Sequence, residues 1–199
     1  MSSHRSRLLV NLSIATALAI GVAVAVPCSS VRAALINLDP CDASAISQPF
    51  APWLDLAPYK LAPGGGFETP AWTLNGGAQR LPGSEPYAAT GRVGSWSLAL
   101  PAGSSAQSPS TCVDAAYPSI RFFIAGTGTV AASVVVGNLA IPAGIAVAVP
   151  GWEPTLVMLT YGPVVGALSD GVAHVSLRLT ALTGDPRVDD VFIDPWNRR

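Results

Sequence analysis

Within this 199-residue chain the residues able to move protons or attack a bond are carboxylates: Glu68, Glu85, Glu153, Asp170, Asp185 and the adjacent pair Asp189 and Asp190 in "RVDDVFID". Glycoside hydrolysis needs two carboxyl groups at a defined separation across a sugar. No spacing in the sequence sets such a pair, and Glu85, Glu153, Asp170 and Asp185 each precede Gly or Pro in turn-like stretches. A hydrolytic triad needs a histidine beside its nucleophile. Beyond residue 33 the only histidine is His174, and no Gly-x-Ser-x-Gly elbow accompanies it. One histidine and two cysteines do not make a usual zinc ligand set.

Aromatic side chains offer a different chemistry. A pyranose is gripped by a flat apolar ring beneath it and a few polar groups at the rim. Trp53, Tyr59, Tyr87, Trp152, Tyr161 and Trp196 lie near Pro or Gly at expected loop edges, as ligand-binding candidates that could equally cap an end of the core. Trp72 and Trp96 fall in phase with apolar neighbours and read as packing residues.

Residues 1–33 read as an export signal. His4, Arg5 and Arg7 form a basic start, Leu8 to Val26 an apolar stretch, and Val31-Arg32-Ala33 a small-residue cleavage site. An uncleaved anchor is the alternative, because the stretch is nearly long enough to span a bilayer. Cleavage leaves residues 34–199 as one domain. It removes Arg5, Arg7 and Arg32 from 11 basic residues and none of 12 acidic ones, for a formal charge of about −4. With Lys60 the sole lysine and no basic run, the electrostatic footprint of a nucleic-acid binder is missing. Outside the cell two cysteines pair readily, so Cys41 and Cys112 are the expected disulfide, with two buried thiols as the alternative.

The elements that must position these groups are strands. Charged residues are only 12% of the chain, and 18 Pro and 19 Gly interrupt any helical run. From Val130 to Val149 no residue is charged, which on hydropathy alone suggests a membrane span. Gly137-Asn138, Pro142 and Gly144 break that stretch, and its β-branched residues fit two strands better. In the second, Ile145, Val147 and Val149 alternate with Ala146 and Ala148. Ile120, Phe122 and Ile124 oppose Arg121, Phe123 and Ala125, and Trp96, Leu98 and Leu100 oppose Ser95, Ser97 and Ala99, each reading as a half-buried strand. In "VAHVSLRLTAL" the residues Val175, Leu177, Leu179 and Ala181 face a core, with His174, Ser176, Arg178 and Thr180 outside. The expected fold is an all-β, single-domain sandwich with no membrane span after the leader.

In order, "GGFETPAWTL", "SLAL", "IRFFIAG", "GWEPTLVML", "VSLRLTAL" and "VDDVFID" resemble the jelly-roll domains of the galactose-binding-like group, including several carbohydrate-binding modules. "QPFAPW" and "GSEPY" are similar to stretches in uncharacterised secreted proteins of actinobacteria. The resemblance spans nearly all of residues 40–194, and its weight lies in the order of the motifs. It implies a structural calcium held by Glu68 and by Asp189 or Asp190, since adjacent strand residues point to opposite faces. Where those domains often carry an acid or amide before Phe-Glu, this chain has Gly66. It also implies a secreted, non-catalytic module that recognises carbohydrate at the cell envelope or beyond it. A structural or protein-interaction domain of the envelope is the second reading, and a glycoside hydrolase the third.

Overall fold

A computed structural model of the chain describes residues 46–114, 119–160 and 172–194, all within one compact unit, Asn37–Arg199. The export signal expected at residues 1–33, Cys41, Tyr161 and Trp196 lie outside the described residues. The strands are β1 (Ile46–Ser47), β2 (Tyr59–Leu61), β3 (Thr73–Asn75), β4 (Gln79–Pro82), β5 (Trp96–Ala99), β6 (Ser105–Gln107) and β7 (Thr111–Asp114). Then come β8 (Ser119–Ala125), β9 (Gly128–Val136), β10 (Leu139–Val147), β11 (Glu153–Pro154), β12 (Met158–Leu159), β13 (Val172–Gly184) and β14 (Arg187–Ile193). Ala51–Trp53 forms a 3₁₀ turn, and among the described residues no helix is long and apolar enough to cross a membrane.

Two antiparallel sheets stack face to face. The first runs β1-β2-β14-β5-β4, with β8 beside β14 and β11 and β12 beside β8; the second runs β10-β9-β13-β6-β3, with β7 on β13. Between them lie Trp72, Leu98, Leu100, Phe122, Ile124, Val130, Val134, Leu177, Leu179 and Val188. As expected from its alternation, β13 turns Val175, Leu177, Leu179 and Ala181 inward and leaves His174 exposed. The uncharged Val130–Val149 stretch is a hairpin, Val136 opposite Leu139, with Gly137 at φ 58° in the first loop position, where a two-residue turn requires a positive φ.

Three strand readings need correction. β8 is buried on both faces, not half-buried, because a second apolar layer of Phe50, Tyr59, Phe123 and Phe192 covers the outside of the first sheet. Ser97 and Ala99 are buried as well, with Ser97 Oγ donating to the Gly83 carbonyl and accepting from Arg187. Trp96, in phase with Leu98, stays half-buried at the strand's start, where the Arg80 guanidinium stacks 4.7 Å from its ring centre.

The β9–β13 pairing closes on two glycines. A Cβ on Gly128, at φ 98°, would stand 1.9 Å from the Thr183 carbonyl oxygen, closer than any real contact. Gly128→Ala is therefore expected to cost at least about 2 kcal/mol in urea unfolding. Gly137→Ala, whose Cβ meets nothing within 4 Å, should cost about 1 kcal/mol from its positive φ alone. Equal losses in the two variants would contradict this packing.

Candidate functional site

The last strand carries the acids, and its backbone decides where they point. A register shift between Asp189 and Phe192 interrupts the β14–β8 ladder, and Asp190 sits there in the left-handed region at φ 43°. This bulge breaks the alternation that would have sent one acid outward. Both become buried, Asp189 completely and Asp190 at 4% exposure.

Each acid has its own surroundings. The Asp189 carboxylate accepts from Ser84 Oγ at 2.5 Å, the Glu85 amide at 2.9 Å and the Asp190 amide at 2.9 Å. Asp190 turns toward the loop after β2, where a Cβ on residue 66 would lie 3.0 Å from its Oδ1; Gly66 leaves that space open. Asp190 and Glu68 line one cavity of about 300 Å³ with Gly64, Thr69, Thr90 and Arg92. Of the two adjacent acids, Asp190 is the one that reaches Glu68. Glu68 Oε1 is itself anchored by the amides of Ser95 and Trp96, at 2.7 and 3.0 Å.

Sequence reasoning placed Glu85 in a turn and missed its part here. It is fully buried, accepts from the Tyr87 and Ala89 amides, and its carboxyl is within hydrogen-bonding reach of Asp190. A fully buried Glu before a proline is not distinguishable by residue type from an exposed turn acid. Burial raises the Asp189 carboxyl to about 6, against the lowering effect of its three hydrogen bonds. Burial, then the charges of Asp189, Glu85 and Glu68, raise Asp190 to about 8. Among the described residues no arginine or lysine donates to any of these four carboxylates.

The loop that supplies Ser84 and Glu85 continues into the aromatic rim. Tyr87, 44% exposed, donates its hydroxyl to the Trp152 carbonyl at 2.7 Å, and its ring meets Trp53 edge-on at 4.9 Å. Trp53 and Tyr87 both contact Phe123, at 5.5 and 5.6 Å, and Trp152 packs on the same layer, with the Arg187 guanidinium 6.0 Å from its ring centre. Arg187 Nη2 is held by the carbonyls of Pro82 and Gly83, at 2.8 and 3.0 Å, and by Ser97 Oγ.

Thus three of the expected ligand rings, Trp53, Tyr87 and Trp152, gather on one side of the first sheet. Tyr59 does not join them. It is buried beneath, edge-on to Phe50 at 5.0 Å, with its hydroxyl donating to Asp55 at 2.8 Å and raised to about 12 by burial and that carboxylate. Cys112 lies half-buried on β7, and Cys41 lies outside the described residues, so their pairing remains an expectation.

Fold and site together define a two-layer, antiparallel β-sandwich of jelly-roll type that carries an aromatic rim and an acidic cavity. No protein-family model matches the chain, and no curated protein matches it. Among solved structures it is similar to the C-terminal CBM6 of a marine laminarinase from Zobellia galactanivorans, at 14% identity and TM-score 0.44, over 61% of this chain and 90% of that one. It is also similar to the CBM22-1 xylan-binding domain of Paenibacillus barcinonensis Xyn10C, at 13% identity and TM-score 0.40, over 66% and 89%. A third similarity is to the CBM22-1–GH10 modules of a Clostridium thermocellum endo-1,4-β-D-xylanase, at 14% identity and TM-score 0.48, over 70% of this chain and 28% of that one.

Proposed function

We propose that this chain is an exported, non-catalytic carbohydrate-recognition module acting at the cell envelope or outside the cell. The observation that carries the reading is the gathering of Trp53, Tyr87 and Trp152 on one rim, with Arg187 alongside as a charged donor. Rings of this kind offer apolar faces to the C–H side of a pyranose, and the guanidinium and loop amides offer donors to its hydroxyls. Rings locked by Phe123 and by the Tyr87–Trp152 hydrogen bond lose little freedom when a ligand arrives.

The same reading includes a structural cation in the cavity lined by Glu68 and Asp190. Glu68 and Asp190 would hold it; no three described acid, histidine or cysteine side chains converge on one point, so backbone carbonyls and solvent would complete the shell. The donor set suits Ca²⁺, a hard ion that takes oxygen ligands: Asp190 is buried with no basic partner among the described residues, and Glu68 lies exposed on the open side of the same cavity. Its work would be to tie the loop after β2 to the final strand, not to touch sugar.

Isothermal titration with soluble plant and bacterial-wall oligosaccharides, chosen by a glycan array, tests the sugar reading. Binding is expected to fall at least tenfold in Tyr87→Ala and in Trp152→Ala, with unchanged circular dichroism. Silence across all sugars, or binding indifferent to both variants, overturns it.

A further inference from the structure

Among the described residues the second sheet ends at β10, which pairs only with β9 and has no strand on its other side. Exposed edges are usually blunted by charge, proline or a bulge. β10 uses two of these devices in its first half, Pro142 and a register shift between Pro142 and Gly144. From Gly144 to Val149 neither charge nor proline occurs.

The alternation of this half runs against the usual order of sizes. The small residues Ala146 and Ala148 face the core, while Ile145 and Val147 stand outward at 63% and 66% exposure. Across a groove of about 290 Å³, lined also by Val149, Pro154 and Met158, stands Leu156 at 87% exposure. Glu153, on β11 at the rim, is the only charged residue lining it. The inner face thus presents only methyl groups to the core, while the large β-branched side chains outside stay mostly exposed.

We propose that this edge is a self-association surface, where β10 of one copy pairs antiparallel with β10 of a second about a twofold axis. The geometry is self-complementary. With the axis at Ala146, Ile145 of each copy falls opposite Val147 of the other on the same outer face, which is the arrangement a closed symmetric pair requires. No like charges within the strand oppose each other across the axis. The exposed parts of Ile145, Val147, Val149 and Leu156 amount to roughly 500 Å² per copy, so a pair covers on the order of 1,000 Å², the lower bound for a specific interface. Pairing also satisfies the open amides and carbonyls along the edge. The groove has none of Trp53, Tyr87 and Trp152 in its lining, and the proposal stands whether or not the rim binds sugar.

Sedimentation equilibrium of the purified chain from about 1 to 100 µM tests it. The unmodified chain is expected to dimerise in the micromolar range. Val147→Lys and Ile145→Lys place a charge at an exposed position and should weaken association at least tenfold with unchanged circular dichroism. Val93→Lys, at a 55% exposed position in the loop before β5, should leave it unchanged. A chain that is monomeric at 100 µM overturns the proposal; protection of the β10 amides from hydrogen exchange in that monomer would assign the edge to another segment of the same chain. A dimer indifferent to both β10 variants, or equally disrupted by Val93→Lys, overturns it as well.

Discussion

In a buffer containing a chelator, the melting temperature of this protein is expected to fall by roughly 5–10 °C as pH rises from about 5 to 8. The sign follows from where the protons sit. Well below pH 3.8 Asp189 and Asp190 are protonated in both folded and unfolded chains and make no difference to stability. As pH rises past their ordinary value of 3.8, the unfolded chain releases these protons while the folded chain keeps them, Asp189 to about 6 and Asp190 to about 8. The folded state then binds more protons than the unfolded one, so stability declines with pH until both groups have ionised. Asp189 alone costs about 3 kcal/mol by pH 7 relative to strongly acidic solution, a little under half of it above about pH 5. A domain of this size converts each kcal/mol into about 2–4 °C.

Calcium should act in the opposite direction. A cation held by Asp190 and Glu68 stabilises only the folded, ionised form, so at pH 8 about 1 mM Ca²⁺ is expected to recover most of the lost melting temperature. Asp190→Asn is the informative variant, because asparagine tolerates the left-handed backbone at that position. It should flatten the pH slope and abolish the calcium response together. A melting temperature that is level or rising from pH 5 to 8 in chelator would show that the acids are not desolvated as the fold implies. A slope that persists unchanged with calcium would remove the cation and leave the buried acids standing.

The second large effect lies under the aromatic rim. Arg121, on the outer face of β8, is buried against the Phe50 ring, its guanidinium 4.1 Å from the ring centre. It donates to Asp55 Oδ2 at 2.6 Å and to the Thr155 carbonyl at 2.8 Å. Burial pushes the Asp55 carboxyl upward, but the Ala57 amide, the Tyr59 hydroxyl and Arg121 together hold it below its ordinary value. This one side chain thus joins the 3₁₀ segment, the first sheet and the strand pair β11–β8. Arg121→Ala removes the ion pair, the cation–π contact and the hydrogen bond at once, and strands a partly buried carboxylate. The expected loss is about 2–4 kcal/mol in urea unfolding. Hydrogen exchange should also quicken across residues 48–57, the segment the arginine holds down. A loss under about 1 kcal/mol, with exchange there unchanged, would mean that apolar contacts alone keep that layer in place.

Much of the architecture was readable from the residues. Two-residue alternation in Val175 to Ala181 and glycines between uncharged β-branched runs are local signals, because side-chain direction along a strand is set by the backbone itself. They indicated two strands in place of a membrane helix across Val130–Val149, and the structure pairs them antiparallel. What alternation leaves open is which face meets the core: Ile145 and Val147 against Ala146 and Ala148 could have gone either way, and the large residues went outward.

Alternation misled wherever a second layer or a bulge intervened. β8 reads as half-buried because nothing local says that Phe50 and Tyr59, some 60 or more residues earlier, lie across its outer face. Tyr59 reads as a rim residue for the same reason, since its burial comes from partners distant in sequence. The sequence alone determined that this is a chain of short strands, poor in charge, with carboxylates and loop-edge rings as its only chemistry-bearing groups. Tertiary structure decided that Asp190, not Asp189, shares a cavity with Glu68, that Glu85 is buried beside Asp190, and that Trp53, Tyr87 and Trp152 gather around one apolar layer. Those outcomes depend on one left-handed residue and on contacts between segments as much as 100 residues apart, neither of which leaves a periodic trace.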